Sequence, residues 1–463
     1  MITIIILIIL AGVGISVAIG QNGIFTKSKE GVSKYQEAAK KEEEQLDIAL
    51  LDMTYEKYET TTKYKDKNGD TATIPGGYYL TENNAVDEGL VIKDSKGNEW
   101  VWVPVQLDEN GKASDMYTES ETDVGLNGMT EVKTKKYSKL YDFTTEGRIA
   151  KEGTTPSRTS FREPGYLSDY DNTTEYFKQA GFTTSDEMTK AFVGDYEDMI
   201  TSIETYGGFY IGRYELGKTS SGSYVEQKYM KPVNNTNWYV LYKACRDLKV
   251  DGSDAITTMI WGTQYDATMD WLQSSGYNVA DSRSWGNYIT TSLTYKESEN
   301  GEEIKTHEFD HYTVEWDDPD KEDYEMYYFY DKNNDLLYTY DSDSNTFKKD
   351  GVTYKWDDRG TGIYEYYDNN GNKIGSYIIP TGGSENTKSN NIYDLAGNLF
   401  EWTQEAFSTN NRVRRGGSYV NYDSDVTYAS YRGNNNPNGR VTTLGSRATL
   451  YIVELNSDEI VED

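Results

Sequence analysis

Cysteine and histidine are nearly absent, at one and two residues in 463. A lone thiol, Cys245, excludes an intramolecular disulfide. Two imidazoles leave little room for histidine-based metal chemistry. Positive charge is also scarce: 46 Lys and Arg stand against 77 Asp and Glu, a formal charge of −31. Such a chain repels phosphate backbones and anionic headgroups, so no nucleic-acid partner is expected. What is abundant is tyrosine, 42 residues in a chain that is 14% aromatic. That is too aromatic for an acidic disordered chain, and it suits half-exposed strands and recognition surfaces. The length allows one large domain or two or three smaller ones around a substantial core.

Ile2 to Ile19 form an uncharged apolar run, about 27 Å long as a helix and just able to reach across a hydrocarbon core. No basic residue precedes it and no small-residue cleavage site follows, so residues 1–20 read as an uncleaved membrane anchor. Val32, Tyr35, Ala39, Leu46, Ala49, Leu50 and Met53 then recur at three- and four-residue steps, which predicts an amphipathic stalk helix over 21–62. Anchor plus stalk resembles the N-terminal helix of type IV pilin-like proteins, which implies anchoring and pilin-like assembly. The short basic leader and early Glu of that family are missing. The expected location is the outer face of a cell membrane, although Lys27, Lys29 and Lys34 just after the run favour the opposite orientation.

From about Tyr64 the pattern changes to strands. Asp66-Lys67-Asn68-Gly69-Asp70 and Asp94-Ser95-Lys96-Gly97-Asn98 separate apolar runs as hairpin turns do. Glu99 to Val105 reads as an alternating strand, Tyr206 to Glu215 as another, and Leu107 to Pro164 as a loop-rich insertion. Short helices are expected at Trp238–Leu248 and Gln264–Leu272. Residues 291–377 repeat aromatics around Asn/Asp/Gly turns and predict an inserted meander of hairpins. The expected segments are thus 1–20, 21–62, 64–290, 291–377, 378–455 and an acidic tail at 456–463.

Asn391-Ile392-Tyr393-Asp394-Leu395-Ala396-Gly397-Asn398-Leu399-Phe400-Glu401-Trp402-Thr403 is the most informative stretch. Arg412-Val413-Arg414-Arg415-Gly416-Gly417-Ser418-Tyr419 follows, and Leu444-Gly445-Ser446-Arg447 closes the series. In this order the segments resemble the sulfatase-modifying-factor family, which includes the formylglycine-generating enzymes. Gly208-Phe209-Tyr210-Ile211-Gly212 and Pro232-Val233 with Trp238 stand where that family has earlier elements, extending the resemblance over most of 75–455. It implies an α+β, C-type lectin-like domain, here with a β-hairpin insertion and a preceding N-terminal helix. It also implies a Ca²⁺ site, carried onto the side chains of Asp394 and Glu401 with the carbonyls of Gly397 and Leu399. Four oxygens are a partial shell for an ion that takes six to eight. The plainer reading is an Asp-turn-Glu pair that caps backbone amides.

The family's chemistry needs two cysteines after the Arg-Gly-Gly-Ser segment, because thiolates hold Cu(I). Gly416 to Arg447 contains none, and Asn421, Tyr422, Asp423, Ser424 and Val426 stand there instead. Another branch binds iron through three histidines, one more than this chain has. Neither copper nor iron is expected, and an enzyme of the sulfatase-modifying class is the alternative reading. His307-Glu308-Phe309-Asp310-His311 matches the H-E-x-x-H zinc pattern, which requires a helix, but its neighbours alternate like a strand. With the scaffold kept and the chemistry gone, a surface binding protein is expected: an adhesin or minor pilin-like tip. Its candidate ligand residues are Tyr419, Asn421, Tyr422, Asp423, Tyr428, Tyr431, Asn434 and Asn436. Tyr offers contact area at low entropy cost and Asn adaptable hydrogen bonds. Carbohydrate and protein ligands at a cell surface are the expected partners.

Overall fold

A computed structural model describes residues 41–42, 45–81, 85–124, 132–137, 139, 141–150, 175–288, 291, 293–298, 304–309, 313–316, 326–330, 336–341, 346–349, 352–358, 364–367, 373–376, 378–408, 411–421 and 427–453. The anchor at 1–20, most of the stalk and the tail at 456–463 lie outside them. The chain divides into two units, residues 1–54 and 55–463. In the first, residues 45–54 are helical, and Leu46, Leu50 and Met53, on one side of that helix, are exposed. The stalk was expected to continue to 62, but the chain enters a strand at Glu56–Tyr58. There Tyr58 pairs with Tyr78, so sheet hydrogen bonding ends the helical pattern. No described helix is long and apolar enough to cross a membrane.

The second unit is mostly sheet with few helices. Its centre is a seven-stranded antiparallel sheet in the order Glu56–Tyr58, Tyr78–Leu80, Val91–Lys93, Glu99–Pro104, Gly208–Gly212, Ala448–Ile452, Ala255–Met259. The last described strand, Ala448–Ile452, is inserted between two much earlier ones, so the sheet closes only when this C-terminal segment is present. The two Asp-Gly segments are hairpin turns, as expected. Asp66 Oδ1 accepts the amides of Asn68, Gly69 and Asp70, and Asp94 Oδ1 accepts those of Lys96 and Asn98. Glu99–Pro104 does not expose one face as its alternation suggested: Trp100, Val101, Trp102 and Val103 are all buried. A strand covered on both faces reads as a continuous apolar run, and helices supply part of the cover here.

Among the described residues, three helices pack on this sheet. Trp238–Arg246 and Gly262–Ser274 fall where the sequence places them. The longest, Ser185–Tyr206, begins with a reciprocal capping box between Thr184 and Glu187 and ends at Gly207 in the left-handed region. Its buried face sets Phe192 and Tyr196 edge-on to Trp261, with ring centroids 4.9 and 4.8 Å away. Arg412 lies over Trp238 at 4.8 Å, a cation–π contact at the centre of this aromatic cluster.

A second, four-stranded sheet runs Arg432–Asn435, Asn411–Arg415, Phe400–Ser408, Leu444–Ser446, the final pair parallel. It carries the segments of the family resemblance. Seven described strands between 313 and 376 form an antiparallel meander in which each pairs with the next in sequence. The Leu107–Pro164 stretch, expected to be loop, contains two hairpins, Glu119–Val124 with Val132–Tyr137 and Tyr141–Thr144 with Gly147–Ala150. The strands of the first hairpin are polar and lack the apolar alternation that marks a half-buried hairpin, whereas Tyr141 and Phe143 alternate with polar residues in the second.

Candidate functional site

The turn of the 391–403 segment is built around Gly397. Its φ is +76°, and a Cβ there would meet the Asn287 carbonyl oxygen at 2.1 Å. Only glycine permits that approach, which lets the Asn398 amide donate to the Asn287 carbonyl at 2.9 Å. The Asn398 side chain then ties three segments together. Its Nδ2 donates to Glu215 Oε2 at 2.5 Å, and its Oδ1 accepts the Ile379 amide at 3.0 Å and Asn287 Nδ2 at 2.9 Å. Glu215 Oε1 accepts the Leu399 amide at 3.0 Å. Glu215 was not singled out from sequence; its only signal is a charged residue just past the buried Gly208–Gly212 strand.

Asp394 accepts the Thr387 hydroxyl at 2.6 Å and the Gly382 amide at 2.7 Å, one on each oxygen. Glu401 Oε1 is held by Arg447, whose other donors reach the carbonyls of Gly212 and Tyr393 at 2.9 and 2.8 Å. Burial pushes Asp394 up to about 6. Glu215 is raised well above the ordinary carboxylate range by burial and by the charges of Asp394 and Glu401. Burial also raises Glu401 against the pull of Arg447. Burial alone would lower Arg447, but Glu401 leaves it raised. Asp394 spends one acceptor position of each oxygen on Thr387 and Gly382, and Arg447 holds Glu401 Oε1, while Glu401 Oε2 is buried with no hydrogen-bond partner among the described residues. As arranged, these carboxylates cap backbone and bind Arg447, and none of them faces solvent.

Cys245 is fully buried, its Sγ 3.8 Å from Ser446 Oγ, and burial pushes the thiol up. A thiol without access to its thiolate is a poor nucleophile and a poor metal ligand. His307 sits in the strand Ile304–Phe309, opposite Tyr295, and not in a helix. His311 lies outside the described residues.

The expected ligand residues do not share one surface. Tyr419 is 1% exposed and belongs to the core. Asn421 turns its Oδ1 back to the Ser418 amide at 2.6 Å. Tyr422 and Asp423 lie outside the described residues. Tyr428 and Tyr431 are half-buried and meet edge to face at 5.5 Å. Beside them runs the edge strand Arg432–Asn435, where Asn434 Oδ1 accepts from Asn411 Nδ2 at 2.9 Å. Asn436 Oδ1 accepts the Asn438 amide at 3.1 Å.

A cleft of about 290 Å³ lies elsewhere in this unit. One wall is the Gly262–Ser274 helix, which presents Thr263, Asp266, Ala267, Asp270, Trp271 and Ser274 to it. These positions recur at three- and four-residue steps, so they form one helical face. The opposite wall comes from Asp115, Met116, Lys139, Tyr141 and Arg148, and the floor from Pro104 to Gln106. The walls are tied together: Gln273 Nε2 donates to the Thr144 carbonyl at 2.8 Å, and Arg148 bridges Asp115 at 2.8 Å and Asp270 at 3.2 Å. Lys139 reaches Asp115 at 3.1 Å. Burial raises Asp270 against the pull of Arg148, while Lys139 and Arg148 hold Asp115 low despite its partial burial. Deeper in, burial pushes Asp266 up to about 6 although Arg415 is bound to it. Sequence reading missed this site. Its one signal is a helix face made of Thr, Asp, Ala and Trp where a core stripe would be apolar.

No curated protein and no solved structure matches the chain. Glu215 and the cleft-forming helix both lie upstream of the one matched segment. Residues 335–451, which carry Asp394, Gly397, Asn398, Glu401 and Arg447, match the family model described as the sulfatase-modifying factor enzyme 1-like domain.

Proposed function

We propose that this chain is a binding module built on a sulfatase-modifying-factor framework and that it holds a small ligand in the cleft between the Gly262–Ser274 helix and the Tyr141–Ala150 hairpin. The cleft carries the proposal: it joins aromatic surface to converging charged side chains, the usual make-up of a small-molecule site. Two facts support binding over the family's thiol–metal oxidation. The segment after Gly416 contains no cysteine, and the lone Cys245 is buried beside Ser446. The uncharged run at 2–19 supports a membrane-held module, and cell fractionation with protease protection tests both that placement and the side it faces. The test of binding is a ligand screen on the full chain by thermal shift, with hits mapped by substitutions at Asp270 and Trp271. Hits insensitive to both would remove the cleft from the proposal.

Two other readings each have one observation behind them. Tyr428, Tyr431 and Asn434 cluster at a sheet edge, which favours a peptide or glycan contact there. Binding abolished by Tyr431→Ala but kept in Trp271→Ala would favour it. An oxidoreductase of the sulfatase-modifying class is favoured by the family match at 335–451. Stoichiometric copper with turnover of a thiol peptide would establish that reading.

A further inference from the structure

The lining of the cleft specifies the charge class of its ligand. Resting on the binding reading above, we infer that the cleft takes a neutral saccharide: one pyranose ring stacked on Trp271, with its hydroxyls on Asp270, Arg148 and Asp115.

The argument starts from charge. Lys139 and Arg148 are the cations of the cleft, and both already hold carboxylates, at 3.1 Å for Lys139–Asp115, 2.8 Å for Arg148–Asp115 and 3.2 Å for Arg148–Asp270. The third carboxylate, Asp266, is matched by Arg415 from behind. An anionic ligand would compete with these carboxylates for the two cations and would also approach a chain of charge −31. A cationic ligand would compete with Arg148 and Lys139 for the carboxylates. A neutral ligand leaves every pair intact and can still use them, because paired carboxylates and guanidinium present acceptors and donors side by side. Neighbouring hydroxyls of a sugar, each both donor and acceptor, fit such an alternating row.

Shape and surface agree. The cleft, at about 290 Å³, sits at the small end of ligand pockets, roughly 300–1,000 Å³, which suits one or two rings and excludes a folded partner. Trp271 is half-buried, leaving part of its indole to receive the apolar face of a ring. Tyr141 is committed to Arg148 and Lys139 at 4.7 and 5.5 Å, so it stiffens the polar wall and does not stack. The hydrogen bond from Tyr141 Oη to the Asp115 carbonyl at 2.8 Å fixes that wall further. A site whose polar groups are held before the ligand arrives loses less freedom on binding.

The test is saturation-transfer NMR and calorimetry on the full chain with three neutral probes, maltotriose, cellotriose and chitotriose. A zwitterionic dipeptide and inorganic phosphate serve as comparators. At least one saccharide is expected to bind with little dependence on salt. Asp270→Asn and Trp271→Ala are each expected to weaken it about tenfold or more, while Trp271→Phe keeps most of it. Near-UV circular dichroism confirms that each variant is folded, and Tyr431→Ala serves as a control outside the cleft. The inference falls if none of the three saccharides binds, if phosphate binds instead with strong salt dependence, or if saccharide binding ignores both cleft substitutions. Dipeptide binding that needs Asp270 and Trp271 would overturn the saccharide while leaving the binding module standing. Oxidation of a thiol peptide by the same preparation would overturn the module itself.

Discussion

Arg447 grips Glu401 through Nε at 2.8 Å and Nη2 at 2.6 Å, and neither side chain is more than 1% exposed. The remaining guanidinium donors hold the backbone of Gly212, in the central sheet, and of Tyr393, in the motif turn. One side chain from the end of the chain thus joins both sheets. Removing it leaves Glu401 and two carbonyls buried without their donor. Arg447→Ala is expected to lose about 3–5 kcal/mol in urea unfolding, and Glu401→Gln less, because the amide oxygen still accepts. Equal, small losses in both would show that the pair does not carry the join.

Gly397 is a sharper test of the turn. Gly397→Ala adds a Cβ at 2.1 Å from a carbonyl oxygen as well as the strain of a positive φ, so a loss above about 3 kcal/mol is expected. Gly111 has a similar φ, +72°, with nothing within 4 Å of its Cβ position. Gly111→Ala should therefore cost only about 1 kcal/mol. Similar costs at the two positions would mean that strain alone, and not the Asn287 contact, sets the need for glycine.

Asp394 bears on the calcium expectation. Its oxygens receive Thr387 and Gly382, so Asp394→Asn should lose on the order of 1–3 kcal/mol whether or not calcium is present. Melting curves with millimolar calcium and with a chelator measure this. A loss that appears only with calcium would place the ion on Asp394 after all.

The pH dependence should run opposite to simple acid unfolding over part of its range. Asp266 and Asp394 are both pushed up to about 6 by burial. Each holds its proton more tightly folded than unfolded, so their contribution is full below about 4 and is lost as pH rises through about 6. Glu99, held low by Lys93 and Arg213 despite burial, has the other sign and loses its contribution as pH falls below about 4. The urea midpoint is expected to peak between these limits and to decline toward pH 7. A midpoint rising steadily from pH 4 to pH 7 would contradict the burial of the two aspartates.

Cys245 should resist thiol reagents in the native chain and react at once in denaturant, because its thiol is fully buried and its ionisation is pushed up. Rapid native-state labelling, followed by mass spectrometry, would reopen thiol chemistry.

Much of the framework was legible in the residues themselves. The Asp-Gly turns at 66–70 and 94–98 and the helices near 238 and 264 are local: a short side chain caps its own turn, and a cap or periodicity announces a helix. The Ser185–Tyr206 helix, not expected above, carries the same kind of local signal, with Thr184 and Glu187 in a capping box and Met188, Phe192, Tyr196, Met199 and Ile203 on one face. Chain order also carried the family likeness of 391–447, and no cysteine stands in that segment.

Tertiary structure decided which of those residues are accessible and which meet. Tyr419 and Tyr431 are the same residue type in one Tyr- and Asn-rich segment, yet one is core and the other lies at a sheet edge. Asp394 and Glu401 are two carboxylates of one motif, and the fold gives Asp394 the Thr387 hydroxyl and the Gly382 amide as donors and Glu401 the guanidinium of Arg447. The cleft joins Asp115 and Arg148 to Asp270 across more than a hundred residues of chain, a proximity that no local pattern encodes. Local propensity depends on neighbours in sequence, whereas burial and pairing of charges depend on the packing of segments far apart in the chain, which only the folded chain settles.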